Sequence, residues 1–408
     1  MTATRAGRSA GLRPVALAIG LTIVSVLPNF LLGALAPEMR AELGFDAAGL
    51  GALVTFGHLV AGVSSVSAGK LVERIGPRPG GAAATLRMAQ LLTGIGFARS
   101  WAQLAVLMSV SGVCQAAAQP AANLVLARHV RVERQGFAFG LKQAAVPSAS
   151  FLAGMAVPVA SLWLGWRATW VAFGGVALVL AAIGQRMLPS ERAPLGTRRG
   201  VLPPGRLPSL MLLSVAAVFA GAAVVSMSTF LVETAVARGF GLTSAGLLRA
   251  GSSAGSILTR IAQGWRADRR GGRHLVTVTR MMLVGAAGFA LVAFSMQWGW
   301  FVAGALVGSS FGWGWNGLLH FSMVHYHRSA PAVAASFTQA GLFFGGAAGP
   351  LLFGLMVEHV SDSAAWLAAA ASMVLSAGLV LAGRAMLGAA IRATDADDAP
   401  PTIAEEAG

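Results

Sequence analysis

Charge is scarce in this chain. Only 11% of its 408 residues are charged, against about a quarter in a soluble domain. By contrast 56% are hydrophobic, and the mean hydropathy is +0.70. Such a composition cannot cover a water-facing surface with polar groups. Strands of about ten residues with alternating polarity, the unit of a membrane barrel, are missing too, which leaves helices. Cysteine is confined to Cys114, so no internal disulfide can form and a thiolate metal site lacks ligands. No G-x-x-x-x-G-K-[ST] loop occurs, so no nucleotide is implied, and nothing else in the sequence asks for a cofactor. Lysine is limited to Lys70 and Lys142; every other basic residue counted with them is arginine.

What is present is a succession of apolar runs, each of roughly 20 residues and long enough to cross a bilayer as a helix. Read against charged and Gly/Pro punctuation, they predict six spans near 14–36, 48–68, 80–98, 101–127, 136–160 and 166–188. A second six follow near 208–236, 243–263, 275–297, 299–324, 331–357 and 363–387. The expected fold class is an all-α polytopic membrane protein with twelve transmembrane helices. Its parts are an N-terminal tail (1–13), a six-helix bundle (14–188), a Pro/Arg-rich linker (189–207), a second six-helix bundle (208–388) and an acidic, Pro-rich tail (389–408) that reads as disordered. The first run exceeds the apolar region of about 7–15 residues found in signal peptides and is read as the first span.

The net charge of +15 does not describe a nucleic-acid surface, because the basic residues are split into short clusters between apolar runs rather than gathered in one patch. They read instead as orientation signals. Twelve spans put both termini on one side. If that side is the cytoplasm, only Arg40, Arg99, Arg167 and Arg238 fall outside, and only Arg87, Lys142 and Arg249 fall within spans, out of 30 Lys+Arg. The positive-inside rule favours this arrangement. The expected setting is therefore a cell membrane of the bacterial inner-membrane kind, with cytoplasmic termini, the lipid bilayer as surroundings and a monomeric chain.

Two basic interruptions repeat each other. "GKLVERIGPRP" (Gly69–Pro79) and "GWRADRRGGR" (Gly264–Arg273) lie 195 residues apart and align without a gap. Gly69 matches Gly264, Glu73 matches Asp268, Arg74 matches Arg269, Gly76 matches Gly271 and Arg78 matches Arg273. Self-similarity at a fixed offset between two halves is what internally duplicated transporters show. Both stretches resemble the signature loop of the major facilitator superfamily, G-x-L-x-D-R-x-G-R-K, with Glu73 in place of the usual Asp and Arg266 in place of the usual Leu. The resemblance extends over essentially the whole chain, including "GWR" (Gly165–Arg167) before span 6 and "GLFFGGAAGPLLFG" (Gly341–Gly354) in span 11. It implies two pseudo-symmetric six-helix bundles that rock about a midplane site. It also implies gating roles for the loops, with Glu73 latching near the start of span 11 and Asp268 near the start of span 5. An acid in such a place suits the exposed amides and the positive dipole end of a neighbouring helix.

The same resemblance places spans 1, 4, 7 and 10 around a central cavity, and polar side chains mark those spans independently. Span 1 has Asn29. Span 4 carries Gln115, Gln119 and Asn123 at i, i+4 and i+8 on one face. Span 7 has Ser226, Ser228, Thr229 and Glu233, and span 10 has Asn316 and His320 beside Trp313 and Trp315. Such groups at membrane depth either line a wet cavity or hydrogen-bond between helices. Lys142 either turns inward or snorkels to the interface. Gln143 and Gln339, 196 apart, suggest an inward-facing pair, and Arg249 sits beside Ser252, Ser253 and Ser256. The substrate-binding candidates are thus Asn29, Gln115, Gln119, Asn123, Lys142, Gln143, Glu233, Arg249, Trp315, Asn316, His320 and Gln339.

Cations outnumber acids within the spans, where Glu233 is the one plausible acid. The expected cargo is a small polar or anionic organic solute, moved by secondary transport with coupling to H+ or by exchange. Drug efflux is the alternative. Against it, antiporters of the superfamily carry an Arg in span 4, where Met108–Gly112 offers none, and their Gly/Pro signature of span 5 is only partly matched by "LAGMAVPVA". A membrane-embedded enzyme would need convergent carboxylates or a metal cluster, which the spans do not supply. A sensor would need a signalling domain for which the short tails leave no room.

Overall fold

In a bilayer every backbone N–H and C=O must be satisfied within the segment or by a closed sheet, and here every apolar run is a helix. The computed structural model describes residues 3–187, 204–270, 274–295, 297–327 and 331–397. No strand occurs among them. The first group of helices is α1 (Ala3–Leu43), α2 (Ala47–Ile75), α3 (Pro77–Gly96), α4 (Trp101–His129), α5 (Val132–Gln143), α6 (Ala145–Val159) and α7 (Gly165–Met187). The second is α8 (Leu207–Ala237), α9 (Leu242–Arg270), α10 (His274–Phe294), α11 (Trp298–Tyr326), α12 (Pro331–His359) and α13 (Asp362–Asp397). Among the described residues, eight stretches are long and apolar enough to cross a membrane, and Ala138–Gly184, at 47 residues, is long enough for two crossings. The expected twelve also needs α3, α9 and α11, which fall short on length and composition alone.

The helix bounds refine the expected layout. The region 389–408 was expected to be disordered, yet α13 runs on to Asp397, and the rest of that tail lies outside the described residues. The N-terminal tail, 1–13, is already part of α1 from Ala3. Span 5 is not one helix. It breaks at Ala144, between α5 and α6, and ends in a π-helical turn over Ala160–Leu164 before Gly165. Proline explains the break. Pro147 has no N–H to give to the carbonyl four residues back, which frees the Gln143 carbonyl for another donor. The linker, 189–207, lies largely outside the described residues, with Pro204–Arg206 forming a short 3-10 turn into α8.

Within the first group α2 packs on α4, α3 on α7 and α1 on α4; within the second α10 packs on α11 and α13, and α8 on α12 and α13. The most extensive contacts between the groups are α2 with α12, α6 with α9, and α1 with α8. The α2–α12 and α6–α9 contacts are related by the sequence repeat. Gly51 and Gly246, 195 apart, abut the backbone of Pro350 and of Gly154 respectively, so closely that a Cβ at either would clash. Glycine is required at both because the helices touch main chain to main chain.

Each group is tied at one corner. Arg167, at the start of α7, donates from Nη1 to the carbonyls of Gly96 (3.0 Å) and Ala98 (2.7 Å) at the end of α3. Its Nε and Nη2 meet Glu42 at the end of α1, at 3.0 and 2.7 Å. Arg238, just past α8, donates from Nη1 to the carbonyls of Val292 (2.5 Å) and Ser295 (3.2 Å) at the end of α10. Its Nη2 meets Asp362 at the start of α13, at 2.6 Å.

Candidate substrate site

The two faces of the bundle differ. On the face where α1 ends and α2 begins, Arg40 of α1 forms an ion pair with Glu233 of α8 and lies 3.9 Å from Glu358 of α12. The Glu358 carboxylate accepts the N–H of Ala47 at the start of α2 (2.8 Å), and Arg40 Nε donates to the Phe45 carbonyl (2.8 Å). One arginine therefore ties both helix groups together at this face. Glu233, expected in the cavity, is held in this clasp. Its position near the C-terminal end of α8 brings it to Arg40.

On the opposite face lies the first signature loop. Gly76 caps α2 with φ +94°, a conformation that favours glycine, and its N–H reaches the Val72 carbonyl. Glu73 and Arg74 are exposed, and Glu73 has no hydrogen bond or ion pair among the described residues. Gly69 faces open space, and Arg78 borders a shallow crevice with Leu17 and Leu21. In the second copy the backbone of Gly264, Asp268 and Arg269 continues α9, while Gly271 and Arg273 lie outside the described residues. The expected latch partners of Glu73 near the start of span 11 lie largely outside the described residues.

Between the faces the polar residues converge. Lys142 is buried and turns inward: Nζ donates to Gln119 Oε1 and Asn123 Oδ1, each at 2.8 Å. The proline-induced break lets α5 aim this lysine across to α4. Gln119 in turn donates to Ser25 Oγ (3.2 Å), and Asn29 donates to Gln115 Oε1 (3.5 Å). Gln115 and Gln119 of α4 thus stand against α1, while Asn123, one turn on and exposed, meets Lys142 of α5. Asn316 and His320 share one face of α11 with Trp313 and keep buried atoms, Oδ1 and Nε2, without partners. Trp315 does not join them. Two residues on a helix turn a side chain by about 200°, so Trp315 is buried in the packed core while Trp313 faces α1 and α8. Gln339 makes no side-chain hydrogen bond among the described residues, and Gln143 contributes its carbonyl rather than its amide.

That carbonyl is taken by a residue the sequence reading missed. Arg260 of α9 donates from Nη1 to Gln143 O (2.6 Å) and from Nη2 to Trp313 O (2.9 Å). Not singled out in the sequence, where it falls near the end of span 8, it lies three turns from Arg249. Residues 11 apart return to the same helix face within about 20°. Ser253 and Ser256 share that face, so a stripe of two arginines and two serines was legible as a single feature. Arg249 is 2% exposed. Its Nη1 donates to the Ser228 carbonyl, and its guanidinium stands 5.7 Å from the centre of the Phe30 ring. Lys142, Arg249 and Arg260 form no ion pair among the described residues.

Beside this stripe is a small cavity of about 10 Å³, room for about one water, between α1, α6, α9 and α11, walled by Phe30 and Trp313 and by Ser150, Ser253, Ser256 and Ser309. The two rings meet edge to face at 6.4 Å. Trp313 Nε1 donates to Ser228 Oγ (2.8 Å) and Ser253 to Ser150 Oγ (2.8 Å).

Comparisons with known proteins agree with this architecture. The sequence profile of the Major Facilitator Superfamily matches residues 18–350. A chloramphenicol resistance protein of Streptomyces lividans is 27% identical over 369 residues, covering 86% of this chain and 91% of the relative. Among solved structures, a bacterial homologue of the human lysosomal transporter Spinster, inward-facing and occupied, superposes with a TM-score of 0.70 at 14% identity, covering 95% of this chain and 98% of the other. A mutant of the nucleoside transporter NupG does so with a TM-score of 0.69 at 16% identity, covering 91% and 99%. With the duplicated loop, the paired helix groups and the family match over most of its length, this integral membrane protein belongs to the Major Facilitator Superfamily of transporters.

Proposed function

We propose that the protein is a secondary transporter of a small polar or anionic organic solute, working by alternating access and driven by H+ or by exchange. The observation that carries this reading is the trio of Lys142, Arg249 and Arg260, set inside the bundle with no acid paired to any of them among the described residues. Buried charge is costly unless compensated, and an anionic ligand would supply the compensation. The amides of α4 would fix its orientation. In this reading the chain is a monomer, both termini and the linker are cytoplasmic, the membrane is a bacterial inner membrane, and two six-helix halves, 14–188 and 208–388, swing about the site. The signature loops close the cytoplasmic face when the Arg40 clasp opens the other.

The test is uptake into proteoliposomes of a panel of small organic anions, with and without a pH gradient, beside chloramphenicol. Accumulation of at least one anion, abolished in Lys142→Ala or Arg249→Ala, is the expected result. Full anion transport in both variants would reject the reading. A second reading, proton-coupled drug efflux, is favoured by the likeness to a chloramphenicol resistance protein. It gains ground if chloramphenicol alone is moved, by wild type and both variants alike.

A further inference from the structure

A cation taken out of water needs an opposite charge near it, or its desolvation is not repaid. Arg249 is buried. Its Nη1 is committed to the Ser228 carbonyl, whereas Nε and Nη2 are buried without partners among the described residues. Ser252 Oγ and Ser256 Oγ, on the next two turns of α9, are likewise buried and unpartnered. All four groups can donate a hydrogen bond, and a buried donor left unpaired is costly. Together they ask for an acceptor that carries negative charge.

The serine-lined cavity sets the size of that acceptor. Its volume of about 10 Å³ gives room for about one water, too little for any but the smallest ions. Ser256 lines it, and Ser150, Ser253 and Ser309 add three more hydroxyls. Each aromatic wall has a guanidinium beside it: Arg249 stands 5.7 Å from the centre of the Phe30 ring, and Arg260 stands 6.0 Å from that of Trp313. In a low dielectric, charges at such range are strongly felt. Among the described residues no carboxylate lines the cavity, so a metal cation would meet repulsion with nothing to offset it. Chloride, only slightly larger than a water molecule, matches the site in size, in sign and in its use of hydroxyl donors.

We infer that this cavity binds one chloride ion, with Ser256 Oγ donating to it and Arg249 and Arg260 balancing its charge. The inference goes beyond organic-anion transport and is separable from it, because chloride binding is measured with no organic cargo present. The walls come from both helix groups: Phe30 of α1 and Ser150 of α6 from the first, Ser256 of α9 and Trp313 of α11 from the second. Chloride therefore joins the groups at this point and favours the conformation in which the Arg40 clasp is closed.

Equilibrium binding of radiolabelled chloride to the purified full-length protein, in detergent and gluconate buffer, tests it, with bromide and iodide as competitors. Saturable binding is expected, with bromide competing better than iodide because the cavity selects by size. Ser256→Ala should weaken binding about tenfold or more, as the loss of one hydrogen bond to a charged group implies. Arg249→Gln should weaken it further, and the serine variant reports on the site even if the arginine variant does not fold. With Ala47→Cys in a Cys114→Ser background, chloride in place of gluconate should slow labelling by maleimide at the clasped face. No saturable binding by the wild type, as for a cavity that holds only water, would overturn the site. So would wild-type affinity in a folded Ser256→Ala, or iodide bound as tightly as chloride. Binding lost in Lys142→Gln but kept in Arg249→Gln would overturn the assignment to this cavity, and unchanged labelling would overturn the link between the groups.

Discussion

The two corner ties are the same device with its charges exchanged. In the first helix group the arginine belongs to the start of the sixth expected span and the acid to the end of the first, as Arg167 and Glu42. In the second group the acid, Asp362, stands at the start of the last span, 195 residues after Arg167, and the arginine, Arg238, follows the seventh. In both groups the guanidinium also caps the C-terminal carbonyls of the third helix, α3 or α10, where a cation meets the negative end of the helix dipole. A tryptophan completes each corner: Trp166 donates to Glu42 (2.7 Å), and Trp366 donates to Thr234 (3.2 Å), which in turn donates to Asp362. The repeat therefore preserves a geometry rather than residue identities. Comparison by residue type alone aligns Arg167 with Asp362 and sees a mismatch. The teaching is mechanical as well: each helix group is fastened within itself, while on this face Arg40 is the ion-pair link between them.

The ties can be broken in order of strength. Arg238→Ala should cost most, about 2 kcal/mol, because it strips Asp362 of its partner and leaves two carbonyls uncapped in a partly buried corner; denaturant titration in detergent would read it. Arg167→Ala should cost less by the same measurement, since Glu42 is half exposed and water replaces the arginine. Exchanging the second corner to the first pattern, Arg238→Glu with Asp362→Arg, should recover more than half of the Arg238→Ala loss, as the new arginine would reach the end of α10 from the position Arg167 occupies relative to α3. Recovery of nothing would mean that the likeness of the corners is superficial. Glu73→Gln should change stability least, within about 0.5 kcal/mol, because Glu73 is exposed and pairs with no acid or base among the described residues.

Much of this was legible in the sequence. Apolar run length located the helices, because a bilayer leaves the backbone no alternative. The 195-residue offset located the repeat, and the i, i+4 spacing of Gln115 and Gln119 anticipated the side of α4 that meets α1. The break at Ala144 was not read, although Pro147 and the free carbonyl it creates were both there to see. Arg260 was missed because its register with Arg249 was not read. Trp315 was chosen over Trp313 on proximity, where helical phase separates them. Partners distant in the chain, such as Arg40 with Glu233 and Glu358, carry no local signal, since each residue alone reads as an interfacial charge.

The account depends on the two faces opening in alternation. The most direct measurement is labelling by a membrane-impermeant maleimide, in lipid nanodiscs, of two single-cysteine reporters in a Cys114→Ser background: Ala47→Cys, buried at the clasped face, and Glu73→Cys, exposed at the other. Adding Arg40→Ala should raise labelling at position 47 and lower it at position 73. Labelling that rises at 47 with no fall at 73, or that fails to change at either, would contradict the coupling of the two faces.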